Sequence, residues 1–198
     1  MNAYRQLSPE LRAEVLDHRR LQGFPLHSPP HRYDASGWFL VTGVTYEHQM
    51  HFATPADREW LLGEILKELD AVAVQCSAWV VLPNHYHLLV ACSGLGSVAR
   101  VTQRVHGRTS RELNRREGIE GRRIWYRYAD RQIRSERHYL TTVNYIHFNP
   151  VKHGHVEHPL EWGPTSVHWY HEHFGSVWLE SVWNEYPLRA YGSGWDNY

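Results

Sequence analysis

Two histidines that alternate along a predicted strand could bind a metal ion. His85 and His87 lie in the apolar segment LPNHYHLLV. Residues i and i+2 of a strand point to the same face, so both imidazoles would leave one surface of a sheet side by side. Neutral imidazole is the commonest metal ligand in proteins, and two such rings supply half of a divalent-ion site. The alternative is a pair of half-exposed strand histidines with no ligand.

A tyrosine on a predicted helix could act as a covalent nucleophile. Tyr145 lies in VNYIHFNPVKHG, and its phenol, with an ordinary pKa near 10, needs a metal ion or a general base to attack at neutral pH. Asn149, four residues later, shares its helical face and could be a third metal ligand. His138, seven residues before Tyr145, could bind phosphate or tune the tyrosine. The alternatives are a packing aromatic and an asparagine that satisfies backbone groups, and Pro150 biases Asn149 away from regular helical geometry.

The charge of the chain is zero overall but is unevenly distributed. The sequence has 21 Lys and Arg against 21 Asp and Glu, yet 12 arginines and only 5 acidic residues lie from Arg100 to Arg137. That segment is therefore strongly basic and the remainder is acidic. Five of its arginines recur at steps of three or four residues, which places them on one helical face. A stripe without acidic partners repels itself, so phosphates could neutralise it; the alternative is a solvated helix face.

The order of predicted elements indicates one α+β domain with extensions. Strands are predicted over residues 37–46, 71–82 and 85–91, and an extended segment over 124–133. Helices are predicted over 8–21, 54–70 and 96–116, and from 135 to near 150. The order β-α-β-β-α-β-α predicts a ferredoxin-like antiparallel sheet with helices on one face. We expect a helix and linker over 1–36, the main domain over 37–150, and an aromatic- and histidine-rich extension over 151–198 that packs on it.

Several classes of protein are disfavoured by composition. Apolar runs such as residues 78–83 are far shorter than the roughly 20 residues that cross a bilayer, so no membrane association is expected. No secretory signal pattern opens the sequence. Two cysteines, Cys76 and Cys92, provide neither a disulfide framework nor a cysteine-based zinc site. A cytoplasmic location is therefore expected.

The motifs together resemble a known family. The His85-Tyr86-His87 strand followed by a single Tyr145 in YIHFNPVKHG resembles the HUH tyrosine transposases. More narrowly, it is similar to the REP-associated tyrosine transposases of insertion-sequence-like elements, and the run SRELNRREGIEGRRIWYRYADRQIRSE also resembles that family. The resemblance covers residues 37 to 170. It implies that His85 and His87 bind the metal ion, that Tyr145 is the nucleophile, and that Asn149 occupies the place of a third ligand.

The resemblance implies a reaction on single-stranded DNA. A transposase of this family nicks and rejoins DNA by transesterification through a 5′-phosphotyrosine intermediate, with Mg²⁺ or Mn²⁺ as cofactor, on palindromic repeats folded as hairpins. The arginines expected to contact DNA are Arg100, Arg104, Arg108, Arg111, Arg115, Arg122, Arg123 and Arg127.

Two other functions stay open at this point. One alternative is a non-catalytic DNA-hairpin binding protein derived from a transposase. Another is a zinc-dependent hydrolase that uses the histidines between His147 and His173. For the assembly, a monomer is favoured over a homodimer because of the long tail.

Overall fold

The sheet has four antiparallel strands in the order β2-β3-β1-β4. The computed structural model describes residues 8–11, 13–14, 17, 36–193 and 195. The elements are β1 (Gly37–Val44), α1 (Pro55–Asp70), β2 (Gln75–Val81), β3 (His85–Cys92), α2 (Leu95–Glu117), β4 (Ala129–Gln132), α3 (Glu136–Lys152) and α4 (Val167–Glu185), with short 3₁₀ turns at Tyr46–His48 and Pro159–Glu161. The strand order and pairing confirm the predicted ferredoxin-like α+β class.

The helix ends follow local capping rules. The Thr54 hydroxyl accepts a hydrogen bond from the Asp57 backbone N–H (3.1 Å) and Pro55 opens α1. Ser135 caps α3 in the same way, accepting from the His138 N–H at 3.1 Å. The helix α3 continues past Pro150 to Lys152, two residues further than expected.

The N-terminal prediction is only partly covered by the described residues. Residues 9–11, 13–14 and 17 are helical, and the Ser8 hydroxyl accepts from the Leu11 N–H at 3.3 Å. The rest of the predicted helix and of the linker up to residue 35 lies outside the described residues. No helix in the described part of the chain is long and apolar enough to cross a membrane.

The sheet is covered by helices on both faces. Phe39, Leu40 and Val41 are consecutive and each at most 2% exposed, so neighbouring side chains of β1 are buried on opposite faces. Phe39 and Val41 belong to the core that contains residues of α1 and α2, whereas Leu40 belongs to the core that contains residues of α3 and α4. The expectation of helices on one face is correct for α1 and α2. It is wrong for α3 and α4, because β1 and β3 also bury apolar side chains, Leu40 and Leu89, on the opposite face.

The pairing of β1 with β3 fixes which face each residue of the histidine motif occupies. His85 pairs with Val44, Tyr86 with Gly43 and His87 with Thr42. The Tyr86 ring lies across Gly43, where a Cβ would stand 2.3 Å from the ring atoms. Glycine is required there because any larger side chain would displace Tyr86. The two histidines consequently face α3, and Tyr86 faces the α1–α2 core.

Candidate active site

The two histidines of β3 are held by partners on their Nδ1 atoms. Both rings are buried, with exposed fractions of 1% for His85 and 0% for His87. The His85 Nδ1 lies 2.7 Å from the Asn84 side-chain oxygen, and the His87 Nδ1 lies 2.9 Å from the Thr42 hydroxyl. Hydrogen bonds at Nδ1 fix the ring orientation and direct Nε2 away from the partner. Both Nε2 atoms accordingly meet side chains of α3.

The helix α3 supplies one side chain to each histidine. The Asn149 Oδ1 lies 3.0 Å from the His85 Nε2, and the Tyr145 hydroxyl lies 3.4 Å from the His87 Nε2. Tyr145 and Asn149 are one helical turn apart and share a face. The structure therefore brings together the two predicted histidine ligands, the predicted nucleophile and the predicted third ligand.

The donor atoms fit a divalent cation. A neutral imidazole carries one N–H, and when the His85 Nδ1 donates to Asn84, its Nε2 presents a lone pair to the Asn149 oxygen. The lone pairs of the His85 Nε2 and the Asn149 oxygen then converge on one point. The His87 Nε2 lies alongside, with the two imidazole centroids 5.1 Å apart. Three atoms in this arrangement can act as ligands of a cation. Three neutral ligands leave further positions for water or phosphate oxygen.

Metal-like histidine spacing elsewhere does not produce a second cluster. Within the described residues, no group of three or more His, Cys, Asp or Glu side chains is placed to hold a metal ion. His155 stacks on Trp162, and the His168 Nε2 bonds to the Trp162 backbone oxygen at 2.7 Å. These contacts give His155 and His168 packing roles and do not support the zinc-hydrolase alternative.

The candidate nucleophile is covered by the end of the chain. Tyr145 is fully buried. Its ring contacts Tyr191 and Trp195, with ring centroids 5.6 and 5.5 Å away. A Cβ on Gly192 would lie 2.1 Å from the Tyr145 ring, so only glycine fits at this closest approach. We call residues 187–193 and Trp195 the closing segment, because it lies directly over Tyr145.

The closing segment is tied down by polar side chains of α3. The Tyr191 hydroxyl lies 3.1 Å from the His138 Nε2 and 2.5 Å from the Thr142 hydroxyl. The Lys152 ammonium donates to the Gly192 backbone oxygen at 3.1 Å. Burial, with Arg131 and Arg134 nearby, lowers the pKa of His138. His138 therefore contacts Tyr191, and Tyr191 in turn contacts Tyr145.

The closing segment has little signature in the sequence. Its one local signal is a glycine between aromatic residues, at Tyr191-Gly192. The contacts join residues about fifty positions apart, and no helical or strand period relates them.

The arginine stripe of α2 has acidic partners, contrary to the expectation. Arg104 and Arg108 bind Glu68 (3.3 and 2.8 Å), and Arg108 also binds Glu64; both acids belong to α1. Arg115 pairs with Glu112 at 2.8 Å. The helical period of α2 does not reveal these three acidic partners, because two of them lie on α1. These ion pairs remove the need for phosphates at this part of the stripe.

The pKa of Glu112, the acidic partner on α2, is strongly lowered. Glu112 binds both Arg115 and Arg116, which lower its pKa to about 2. Arg116 also reaches Asp57 at 3.2 Å.

The remaining predicted arginines lie elsewhere on the surface of α2 and on the segment after it. Arg100 bonds to the Ser97 hydroxyl at 3.1 Å, and Arg111 lines a shallow cavity at the end of α2. Arg122 binds Glu117 and Asn114. Arg123 lies over the rings of Tyr46 and Tyr126, at 4.8 and 5.4 Å. Arg127 lines a groove beside α2 together with Arg122 and Arg123.

Comparisons with known proteins find relatives in sequence. No family model matches the sequence. The chain is 26% identical over 141 residues, 69% of its length and 81% of the relative's, to a REP-associated tyrosine transposase of Escherichia coli (strain K12). It is 37% identical over 59 residues, 30% of its length and 31% of the relative's, to a putative REP-associated tyrosine transposase of Haemophilus influenzae.

A solved structure extends the likeness to the fold. A REP-associated tyrosine transposase bound to a REP hairpin superposes with a TM-score of 0.56 at 25% identity, covering 71% of this chain and 83% of that one. The sequence-based resemblance is therefore confirmed: this chain is related in sequence and in fold to the REP-associated tyrosine transposases.

Proposed function

We propose that this chain is a metal-dependent single-stranded DNA endonuclease and strand transferase that acts on palindromic repeat hairpins through a 5′-phosphotyrosine intermediate. The observation that supports it best is the meeting of the His85 and His87 Nε2 atoms with the Asn149 oxygen (3.0 Å) and the Tyr145 hydroxyl (3.4 Å). A nucleophile beside a set of cation ligands is an arrangement suited to metal-assisted phosphodiester transesterification.

The proposed reaction conserves the phosphodiester energy. The Tyr145 hydroxyl gives up its proton and its oxygen bonds to the phosphorus. The bond from phosphorus to the 3′ oxygen breaks, and that oxygen takes up a proton to leave as a hydroxyl. Attack by a 3′-hydroxyl on the phosphotyrosine reverses these steps, so rejoining needs no external energy source.

The roles of the surrounding side chains follow from their positions. His85, His87 and Asn149 would hold Mg²⁺ or Mn²⁺, and such an ion polarises the scissile phosphate and stabilises its negative charge. Thr42 and Asn84 hold the two imidazoles in place through Nδ1. Tyr145 and both histidines come from the same chain, which supports activity as a monomer.

The burial of Tyr145 imposes a condition on the reaction. Because its ring is fully buried under the closing segment, DNA reaches the hydroxyl only after that segment moves. The contacts to be broken are those of Tyr191 with His138 and Thr142, and that of Lys152 with Gly192.

The DNA-binding surface is proposed on the side of α2 that faces away from α1. The solved relative is bound to a REP hairpin, which supports a hairpin substrate here. Arg104, Arg108 and Arg115 are engaged with carboxylates. The predicted contacts that form no ion pair within the described residues are better placed to bind phosphates: Arg100, Arg111, Arg123 and Arg127. Arg122 binds Glu117 through Nη1, and its buried Nη2 makes no hydrogen bond to the described part of the chain.

The test is formation of a covalent DNA adduct. The full chain is incubated with Mn²⁺ and end-labelled hairpins from the palindromic repeats of its own genome, and a denaturing gel shows whether label migrates with protein. We expect an adduct with the wild-type chain, and none with Tyr145→Phe or with a chelator. Tyr145→Phe should still bind the hairpin. An adduct that persists in Tyr145→Phe rules out Tyr145 as the nucleophile.

The second candidate function is hairpin binding without cleavage. The complete burial of Tyr145 favours it, since a permanently closed site cannot react. The same gel decides between them: hairpin binding without adduct at any Mn²⁺ or Mg²⁺ concentration, even when the closing segment is loosened by mutation, would establish the non-catalytic function.

A further inference from the structure

Lysine is rare in this chain, and one of its two lysines lies beside the candidate nucleophile. Of the 21 Lys and Arg residues, only Lys67 and Lys152 are lysines. Lys67 lies in the last turn of α1, on the sheet face opposite Tyr145. Lys152 is the last residue of α3, seven positions after Tyr145, so both residues share a helical face. The transesterification steps assign no role to this ammonium.

The Lys152 ammonium lies over the ring of the nucleophile. Its Nζ is 5.2 Å from the centroid of the Tyr145 ring. It donates to the Gly192 backbone oxygen at 3.1 Å, and Gly192 is the residue of the closing segment that comes nearest to the Tyr145 ring. The ammonium therefore binds an oxygen of the closing segment at the place where DNA has to approach Tyr145.

A second cation faces the closing segment from the sheet. The Arg131 guanidinium, on β4, lies 3.9 Å from the centroid of the Trp195 ring, and the Trp195 ring contacts Tyr145. Lys152 and Arg131 thus reach the segment over Tyr145 from two different elements. Side chains of one sign that line a site attract a ligand of the opposite sign. An anionic strand that replaces the closing segment is therefore attracted by both cations.

The chemistry at Tyr145 calls for positive charge at the phosphate. The candidate ligands His85, His87 and Asn149 are neutral in the form that binds a metal ion. Attack on a phosphodiester adds negative charge to its non-bridging oxygens, and lysine and arginine side chains aimed at those oxygens stabilise the transition state. A lysine ammonium is a compact charge with three N–H donors. Lys152 brings such a group to the helical face that carries Tyr145 and Asn149.

We propose that Lys152 is a further catalytic residue, whose ammonium binds a non-bridging oxygen of the scissile phosphate after the closing segment has moved. In this step Nζ exchanges the Gly192 backbone oxygen for the phosphate oxygen. Lys152 keeps its proton, and no covalent bond of its side chain forms or breaks. The contact stabilises cleavage and rejoining equally, since both pass through the same transition state. The inference deepens the proposed function and rests on it.

The first experiment compares the two lysines. Lys152→Met removes the ammonium and keeps an unbranched side chain, Lys152→Arg keeps the positive charge, and the matched control is Lys67→Met at an exposed position of α1. Single-turnover adduct formation is measured with Mn²⁺ and the hairpin substrate. We expect Lys152→Met to react about a hundredfold more slowly, the lower end of the range for losing one charge-stabilising donor. Lys152→Arg should stay within about tenfold of wild type, and Lys67→Met should match it.

The direction of the rate change separates catalysis from release of the closing segment. Losing the hydrogen bond from Lys152 to Gly192 loosens the segment, which by itself would speed the reaction. Losing a phosphate contact slows it. In the double variant Tyr191→Ala and Trp195→Ala the segment is already loosened, so only the second effect remains. Adding Lys152→Met to that background should again slow adduct formation about a hundredfold.

A binding measurement identifies the contacted phosphate. It uses Tyr145→Phe, which cannot cleave, and DNA with either the ordinary phosphate or an uncharged methylphosphonate at the cleavage position mapped with the wild-type chain. On ordinary DNA, adding Lys152→Met should weaken binding about tenfold, as expected for a hydrogen bond between charged groups. It should also lower the slope of log affinity against log salt by about 0.7, the value for one phosphate of a single strand. On methylphosphonate DNA, we expect Lys152→Met to change neither quantity.

The other outcomes separate the lysine from the function. Wild-type rates for Lys152→Met overturn its catalytic role and leave the proposed function in place. Rates for Lys152→Arg as low as for Lys152→Met overturn a role for the positive charge. Equal weakening on both DNAs also overturns the proposal, since the contact would then lie at another phosphate. A wild-type chain that binds the hairpin and forms no adduct overturns the proposed function and the role of Lys152 together.

Discussion

The two faces of the sheet use polar side chains in different ways. On the α3–α4 face, polar groups are buried at the sheet itself, where His85, His87 and Asn149 meet. On the α1–α2 face, the sheet residues form an apolar core, and charged groups such as Arg108 and Glu64 pair between the helices. A polar cluster in an otherwise apolar core has to be held by its own hydrogen bonds, and we interpret this hydrogen-bonded cluster as a functional site. The paired charges between α1 and α2 hold two helices together.

The alternation along β3 connects the two faces. His85 and His87 point to the α3–α4 face and Tyr86 to the other, where it contacts His106 beside the groove. A shift of one residue in the pairing of β1 with β3 would exchange these positions. One strand therefore places the metal ligands on one side and supports the groove on the other.

The strongest test of the comparison removes a metal ligand from one face and an ion pair from the other. We expect His87→Ala to lower the rate of adduct formation by about a thousandfold, because metal assistance contributes several kcal/mol and each 1.36 kcal/mol is a factor of ten. Arg104→Ala loses only a partly exposed ion pair with Glu68, so its rate should stay within about twofold of wild type. Single-turnover gels measure both. A comparable loss in the two variants would contradict the division of roles between the faces.

We expect low pH to lower the free energy of unfolding, because each face of the sheet buries a histidine that is neutral in the folded protein. Burial lowers the pKa of His106 and of His147 to about 3 from an ordinary value of 6.5. A lowered histidine pKa stabilises the fold above pH 6.5, and this contribution is lost as the pH falls from 6.5 toward 3. With two such groups, the free energy of unfolding should fall by up to about 2.7 kcal/mol per pH unit below 6.

Urea denaturation at a series of pH values measures this loss. His147→Gln, at a residue that bonds to Ser166 on the α3–α4 face, should roughly halve the slope, and His106→Gln should do the same on the other face. A slope that neither substitution changes would assign the acid sensitivity to other groups.

The sequence predicts those parts of the site that depend on the residue spacing within a single strand or helix. The spacing of two on a strand placed His85 and His87 together, and the spacing of four on a helix placed Tyr145 and Asn149 together. The docking of α3 over β3 does not follow from either period; the family resemblance implied it. The class of sheet followed from the order of the elements.

Features that depend on distant residues were missed or mistaken. The acidic partners of Arg104 and Arg108 lie on α1, about forty positions earlier in the sequence. The closing segment reaches Tyr145 from about fifty positions later. Chain periodicity contains no information on such contacts, so it predicts an unpaired stripe and does not predict the burial of Tyr145.

Loosening the closing segment should increase activity on the α3–α4 face alone. In the double variant Tyr191→Ala and Trp195→Ala, Tyr145 loses two ring contacts and His138 loses its partner hydroxyl. Aromatic pairs contribute about 0.5–1.5 kcal/mol each, so we expect about tenfold faster adduct formation. The matched control is Trp169→Ala, at an exposed aromatic residue outside the closing segment. Single-turnover rates that do not differ between the double variant and wild type would show that closure does not limit the reaction.

The smallest expected effect separates the two sides of α2. Arg108→Ala removes ion pairs with Glu64 and Glu68, so it should lower stability by about 1 kcal/mol or less and leave DNA affinity unchanged. Arg123→Ala, at the groove rim, should weaken DNA binding a few-fold and reduce the slope of log affinity against log salt by about 0.7–0.9, the value for one phosphate contact. Anisotropy titrations at several salt concentrations, with urea denaturation of both variants, measure the contrast. An equal change in salt slope for the two variants would return Arg108 to the DNA-binding surface and remove the distinction between paired and rim arginines.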